Sequence, residues 1–338
     1  MTPALLSSLE RLVQSLREAD DFKENLIASA HAMNPFFTRE NIMFAIRTIA
    51  DNYLDREKLF AWFSAYDLTV PNTSMRIGII MPGNIPLVGF HDLLCVMISG
   101  HKPVVKVSHR DSVLMRYVIE QWNAPLGEPV IEIADRLTHV DAVIATGGDN
   151  SARYFEYHFG KLPHIFRKNR NGVAVLSGNE SQEELTALAD DIFLYFGLGC
   201  RNVSKVFLPA GYDPSSLLQT FSPYEHALDC IQYRHNLEYQ LAMHRMNEEP
   251  FHSNGFVVMK ESQQLASPIA VLHYQFYHDL DQLVEHLEEN ASHIQCVVSH
   301  CDIEAAIPFG SSQRPRLTDY ADGIDTMAWL LGLHALRH

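Results

Sequence analysis

Apolar residues at Leu5, Leu6, Leu9, Leu12, Val13 and Leu16 recur at helical spacing, and Asn41 to Trp62 continues in the same period. Residues 1–70 therefore read as helices, with Thr38, followed by Arg39-Glu40, as a helix start. At Met75 the period changes. Met75-Arg-Ile-Gly-Ile-Ile-Met81 is a short apolar run closed by Pro82-Gly-Asn84, a strand and then a turn. Leu87 to Ser99 reads as helix closed by Gly100, Pro103 to Val107 as strand, and Ser112 to Trp122 as helix. Val130 to Ile133 and Val140 to Thr146 are further strands, and Thr146-Gly-Gly148 breaks into a helix from Asn150 to His158.

Strands and helices alternating through short connectors predict an α/β chain with a mostly parallel sheet covered on both faces. Such sheets take ligands at the carboxyl ends of their strands. Pro82-Gly-Asn84, Lys106-Val-Ser108 and Thr146-Gly-Gly148 all fall at predicted strand ends. A second α/β unit begins near Asn171, with strands at Val173–Leu176, Lys205–Leu208, Gly255–Lys260, Ile269–Tyr274 and His293–Val298. Its helices are Gln182–Tyr195, Pro214–Phe221, Asn236–Met246 and Leu280–Glu289. The tail is loop from Gly310 through Arg316 and helix from Asp325 to Leu336. The expected divisions are 1–74, 75–170, 171–310 and 311–338, with a soft border near 170.

Charge narrows the function. The 338 residues carry 41 acidic and 26 basic side chains, a formal net charge of −15, with no basic stripe, which argues against nucleic acid as a partner. No apolar run nears the length of a membrane span and no leader pattern opens the chain. The five cysteines are scattered, odd in number and without a CxxC pair, which fits a reducing, cytoplasmic setting and disfavours zinc. His226, His235, His244 and His252 lie eight or nine apart, whereas helical metal ligands need three or four, so no metal is expected. Tyr233, His235 and Tyr239 are candidates to line a channel or simply to pack.

Chemistry concentrates at Phe196-Gly-Leu-Gly-Cys-Arg-Asn-Val-Ser204. A thiol attacks only as thiolate, and nearby cations or backbone N–H donors favour that form. Cys200 follows Gly197-Leu-Gly199, which lets backbone approach a substrate closely, and precedes Arg201. On these residues alone it is either a nucleophile or a half-buried structural cysteine beside a turn.

From about Met75 to the carboxyl terminus the chain resembles the aldehyde dehydrogenase superfamily, and more closely its acyl-CoA reductase branch, the LuxC family. The resemblance rests on the order and spacing of Pro82-Gly-Asn-Ile-Pro86, Pro103-Val-Val-Lys-Val-Ser108, Thr146-Gly-Gly148, Gly199-Cys-Arg-Asn-Val-Ser204, and Lys260-Glu261 ahead of Ser267-Pro268. It implies a Rossmann-type cofactor domain at 75–170 and an α/β catalytic domain at 171–310, behind a helical amino-terminal cap. Cys200 is then the nucleophile, and Asn84 joins the cysteine backbone N–H in holding an oxyanion. Lys106 contacts the adenosine ribose of a dinucleotide, Thr146, Gly147 and Gly148 flank its pyrophosphate and nicotinamide end, and Glu261 holds the nicotinamide ribose. NAD-preferring members commonly carry a glutamate where this chain has His109, followed here by Arg110, which implies NADPH in preference to NADH.

One departure bears on mechanism. Hydrolytic members carry a general-base glutamate in a Glu-Leu-Gly-Gly segment, and the corresponding Arg167-Lys-Asn-Arg-Asn-Gly172 has no carboxylate. The resemblance thus implies NADPH-dependent reduction of an acyl-CoA or acyl-carrier thioester, of a fatty acyl group, to the aldehyde. Two alternatives stand beside it: NAD(P)-dependent oxidation of a semialdehyde or aldehyde, and a non-catalytic acyl-carrier or partner subunit. Arg167, Lys168 and Arg170 either meet phosphates of CoA or NADPH or form a solvated loop. A homo-oligomer is the default expectation for a soluble enzyme.

Overall fold

A computed structural model describes residues 3–18, 21–67 and 73–333. Residues 68–70 of the expected helical region and 334–336 of the expected last helix lie outside the described residues. The chain forms two compact units, one of 3–169 with 315–333 and one of 170–314.

The first unit opens with α1 (Pro3–Arg17), α2 (Asp21–Met33), α3 (Arg39–Thr48) and α4 (Arg56–Phe63). Thr38 does start α3, its hydroxyl accepting the Asn41 N–H at 3.3 Å. The continuous helix expected from Asn41 to Trp62 is instead interrupted by a π-helical turn at 49–53, and Asp55 caps α4 by accepting the Lys58 N–H at 3.0 Å. Leu9, Leu12 and Leu16 of α1 pack with Ile42 and Ile46 of α3 into the same core as the following sheet.

That sheet comes from β1 (Arg76–Ile80), α5 (Phe90–Ile98), β2 (Lys102–Lys106), α6 (Ser112–Asn123), β3 (Glu132–Ile133), β4 (Ala142–Thr146), α7 (Asp149–Phe159) and β5 (His164–Arg167). Its order is β3-β2-β1-β4-β5, and every pairing is parallel. Ile77 and Ile79 of β1 and Ala142 and Ile144 of β4 are buried, as a sheet covered on both faces requires. β5 was not expected from the sequence.

The second unit contains β6 (Asn171–Val175), α8 (Gln182–Phe193), β7 (Val203–Pro209), α9 (Pro214–Thr220), α10 (Ile231–Met246), β8 (His252–Ser253), β9 (Val258–Glu261), β10 (Val271–Tyr277), α11 (Leu280–Glu289) and β11 (Ile294–Ser299). The sheet order is β11-β6-β7-β10-β9-β8, with only β8 antiparallel to its neighbour. Ser181 and Glu184 form a reciprocal capping box at the start of α8.

The carboxyl-terminal segment then groups with the first unit and ends in α12 (Thr326–Gly332), whose Met327 and Leu330 enter that unit's core. It is not a detached tail. Arg167 fastens it: its guanidinium donates to Asp92 at 2.6 Å, to the Thr326 hydroxyl at 2.8 Å and to the Ala321 carbonyl at 2.5 Å. Arg167 is therefore not a cation waiting for phosphate. Buried beside a carboxylate, it is consumed in holding the fold, and Arg170 likewise donates to the Ala291 carbonyl at 3.2 Å. Lys168 alone of the three is exposed. Among the described residues no helix is long and apolar enough to cross a membrane.

Candidate functional site

In the first unit the strand order reverses between β1 and β4, and a parallel sheet opens a ligand crevice outside the carboxyl ends at such a point. Register brings the expected residues to this edge. Ile80 lies opposite Lys106 on one side and Ala145 on the other. Asn84 follows β1 in a half-buried bend, Lys106 ends β2, and Thr146 ends β4 ahead of Gly147 and Gly148.

The loop after β1 is pressed onto the turn after β2. A Cβ on Gly83 would stand 2.7 Å from the Ser108 Cβ and 3.3 Å from the Arg110 Cβ, so only glycine fits. Four residues on, Leu87 takes the left-handed conformation (φ 57°) and donates its N–H to Asp111 at 2.9 Å. Asp111 is buried, which pushes its carboxyl well above the ordinary range. His109 and Arg110 are exposed on the single 3₁₀ turn that Asp111 closes.

Gly147 is similarly bare, since a Cβ there would meet that of Ser151 at 2.7 Å. Gly148 is the N-cap of α7 and brings no side chain to cap it, so among the described residues no capping side chain takes the first N–H groups. Beside this edge lies a cavity of about 370 Å³ lined by Ile80, Lys106, Arg136, Leu137, Thr138, Tyr154, His158 and Phe159. That size is within the range of small-molecule sites. Apolar and aromatic walls joined by Lys106, Arg136 and Thr138 suit a flat small molecule that carries polar or anionic groups. Lys106 lines the cavity, whereas Asn84, His109, Arg110, Thr146, Gly147 and Gly148 lie outside its lining. Tyr154 and His158, four apart on α7 with rings 4.2 Å between centroids, were not singled out from the sequence.

In the second unit α8 ends at Phe193 rather than reaching Tyr195. Tyr195 and Phe196 both adopt left-handed backbone (φ 55° and 58°), and Gly197 continues it at φ 74°. Outside glycine that conformation costs about 1–2 kcal/mol per residue, so packing must impose it. Both rings are buried, Phe196 5.7 Å from the ring of Tyr233. The chain then turns through Gly199 and half-buried Cys200 into β7.

Asn202 builds that turn. Its carbonyl oxygen accepts the Gly199 N–H at 2.8 Å, while its amide donates to the Asp191, Ile192 and Leu194 carbonyls at 3.0, 3.3 and 2.8 Å. One side chain thereby satisfies the open carbonyls at the end of α8 and fixes the residue before Cys200. Arg201 donates through Nε to the Ser312 carbonyl at 2.6 Å. Gly172 backs the turn, where a Cβ would meet the Arg201 carbonyl oxygen at 2.7 Å. An asparagine two residues after the cysteine was visible in the sequence, but nothing local distinguishes a structural hub from a solvated polar residue.

Glu261 ends β9, exposed, in register with Tyr274 of β10, which in turn pairs with Val206 of β7. Cys200 precedes β7. The two residues thus stand at different levels of the sheet, and two strand spacings, roughly 10 Å, separate their strands sideways. They do not touch, and only a ligand of some length serves both. Lys260 beside Glu261 is committed to Glu249 at 2.7 Å, and His244 Nδ1 lies 2.6 Å from the same oxygen.

A cavity of about 20 Å³, room for about one water, is lined by Phe196, Gly197, Ser204, Tyr233 and Pro268. Tyr233 is buried here with no partner for its hydroxyl among the described residues, and burial pushes its phenol up. Tyr239 is 60% exposed and lines neither cavity.

Neither a family model nor a curated relative matches the sequence. Solved structures do. An aldehyde dehydrogenase of Mycobacterium tuberculosis complexed with NAD+ is similar at 14% identity and a TM-score of 0.61, over 84% of this chain and 70% of that one. The aldehyde dehydrogenase KauB of Pseudomonas aeruginosa aligns at 13% identity and a TM-score of 0.63, over 88% and 76%. Aldehyde dehydrogenase 21 of Physcomitrella patens, in complex with succinate, aligns at 12% and 0.64, over 98% and 84%. Identity this low speaks to architecture, and on architecture the agreement spans nearly the whole chain: it has the aldehyde dehydrogenase-like α/β fold, with a parallel-sheet unit in the place of the cofactor domain and a mixed-sheet unit in that of the catalytic domain.

Proposed function

We propose that this protein reduces an acyl thioester, carried on CoA or a carrier protein, to the aldehyde through an acyl-Cys200 intermediate. The observation that carries the reading is the Cys200 turn, a half-buried thiol held between left-handed backbone and β7 by four hydrogen bonds of Asn202. The Cys200 thiolate attacks the thioester carbonyl, a new C–S bond forms, and the carrier leaves as its thiol after taking up a proton. The Cys200 backbone N–H is a donor for the negative oxygen, a role that the family resemblance also gives to Asn84.

A reduced nicotinamide dinucleotide, when bound, supplies the hydride that converts the acyl thioester to aldehyde. Lys106 and the cavity beside it would hold its adenosine half, and Gly147 and Gly148 would admit its pyrophosphate; Glu261 is the residue that the family resemblance assigns to the nicotinamide ribose. His109 and Arg110, exposed after β2, favour a 2′-phosphate and hence NADPH. Segment 167–172 has no carboxylate to activate water, which spares the intermediate from hydrolysis. Oxidation of an aldehyde is the second reading, favoured by the names of the similar structures.

Intact-protein mass spectrometry after mixing with a panel of acyl-CoAs tests the reading, with Cys200→Ala alongside. The expected result is an acyl adduct on wild type, absent from the variant and discharged by NADPH but stable in water. No adduct at any chain length, while NADPH still binds, overturns it.

A further inference from the structure

The Cys200 turn is fastened from a second side. Asp191, in the last turns of α8, accepts the Gly310 N–H at 2.6 Å and the Ser312 N–H at 2.8 Å. The Ser312 carbonyl accepts from Arg201, next in chain to Cys200, and the Asp191 backbone carbonyl accepts from Asn202. Side chain and main chain of one residue therefore reach both flanks of Cys200, across more than a hundred residues of sequence. Both Asp191 and Ser312 are fully buried, so water does not compete for these bonds.

We infer that Asp191 is the positioning residue of the Cys200 turn: its carboxyl group seats the 310–312 loop, and the loop seats Arg201. This deepens the proposed function, since it assigns the control of the thiol on which that reading rests. The carboxyl is pushed up to about 6, chiefly by burial, against the hydrogen bonds from Ser312 and Gly310 that favour its charge. The titratable groups around it are Asp190 on the same helix, whose charge adds to the upward push, and Tyr224, a neutral phenol that donates to Asp190 and lies within reach of Arg314, while Arg201 is bonded to the Ser312 carbonyl. A proton is thus bound more tightly with the loop seated than with the carboxyl in water. The seated arrangement gains as pH falls through about 6, and the ionised carboxylate at neutral pH leaves it readier to open.

Hydrogen exchange of the full chain, corrected for the intrinsic pH dependence of amides, tests this. Protection of 199–202 and of 310–312 is expected to rise together by about tenfold from pH 7.5 to pH 5 in the wild type. Asp191→Asn, neutral throughout, is expected to abolish that transition at both segments, and Asp191→Ala to lower protection of both at either pH. If the alanine variant does not fold, the asparagine comparison suffices. Alkylation of Cys200 by iodoacetamide, followed by peptide mapping, gives a second readout. The rate ratio of Asp191→Asn to wild type departs from one at pH 7.5 and returns towards it at pH 5. Protection at 199–202 that ignores pH while 310–312 responds, or a transition that survives Asp191→Asn, overturns the inference. Neither readout needs turnover, so a failed acyl adduct with a coupled transition removes the reductase reading and leaves this one standing.

Discussion

Arg167 donates to Asp92 at 2.6 Å in the interior of the first unit, where the arginine side chain is 3% exposed. Removing one partner of a buried pair strands the other charge away from water. Arg167→Ala is expected to cost about 3–5 kcal/mol, with Arg167→Met less damaging because it restores packing. Urea denaturation checks both. Equal, small losses would mean that the segment 315–333 is held by its apolar contacts alone.

Lys205, on β7, has no exposed surface, and its ammonium donates to the Gln275 side-chain carbonyl at 2.6 Å and the Gln263 carbonyl at 3.0 Å, with no carboxylate partner among the described residues. Burial lowers it from 10.5 to about 8. The unfolded chain therefore binds the extra proton between those values, so this group's contribution to stability rises as pH climbs from about 8 to about 10.5. Lys205→Met removes the penalty and is expected to raise stability at pH 7 by about 1–3 kcal/mol while flattening that slope. A stability-against-pH series of the two proteins decides it.

Asn202→Ala deletes four hydrogen bonds and leaves the Gly199 N–H and three helix-end carbonyls without it. The expected loss is about 2–4 kcal/mol. Asn202→Asp separates the two roles, since it still accepts from Gly199 but repels the carbonyls. Both should raise hydrogen exchange at 194–202 and slow acylation of Cys200, whereas a purely local effect would leave the thiol's reactivity unchanged.

Arg110→Ala is expected to weaken NADPH binding by about tenfold while changing NADH binding little, because only the former carries a 2′-phosphate for the guanidinium to meet. Lys106→Met should weaken both cofactors alike. Fluorescence titration of each reduced cofactor separates these patterns, with melting temperature as the control for exposed Arg110 and half-buried Lys106.

What the sequence determined by itself was the local grammar. The change of apolar period at Met75 marked where helices yield to alternating strands, Thr38 marked a helix start, and the glycines after β1 and β4 marked the sheet edge where the strand order reverses, because each depends on residues within a turn or two. Order and spacing of short motifs extended that reading to an aldehyde dehydrogenase-like fold. Only the tertiary structure decided the rest. β5 is short and unpatterned, and it is a strand because β4 offers it a free edge. Arg167 looked like a free cation until Asp92 and Thr326, distant in sequence, closed around it. Tyr195 and Phe196 are left-handed against their own preference because their buried rings have places to fill, and the bond partners that define Asn202 and Asp191 are fixed by folding. Propensity is written in neighbours along the chain. The seating of the Cys200 turn is written in contacts across it, and those exist only once the chain has folded.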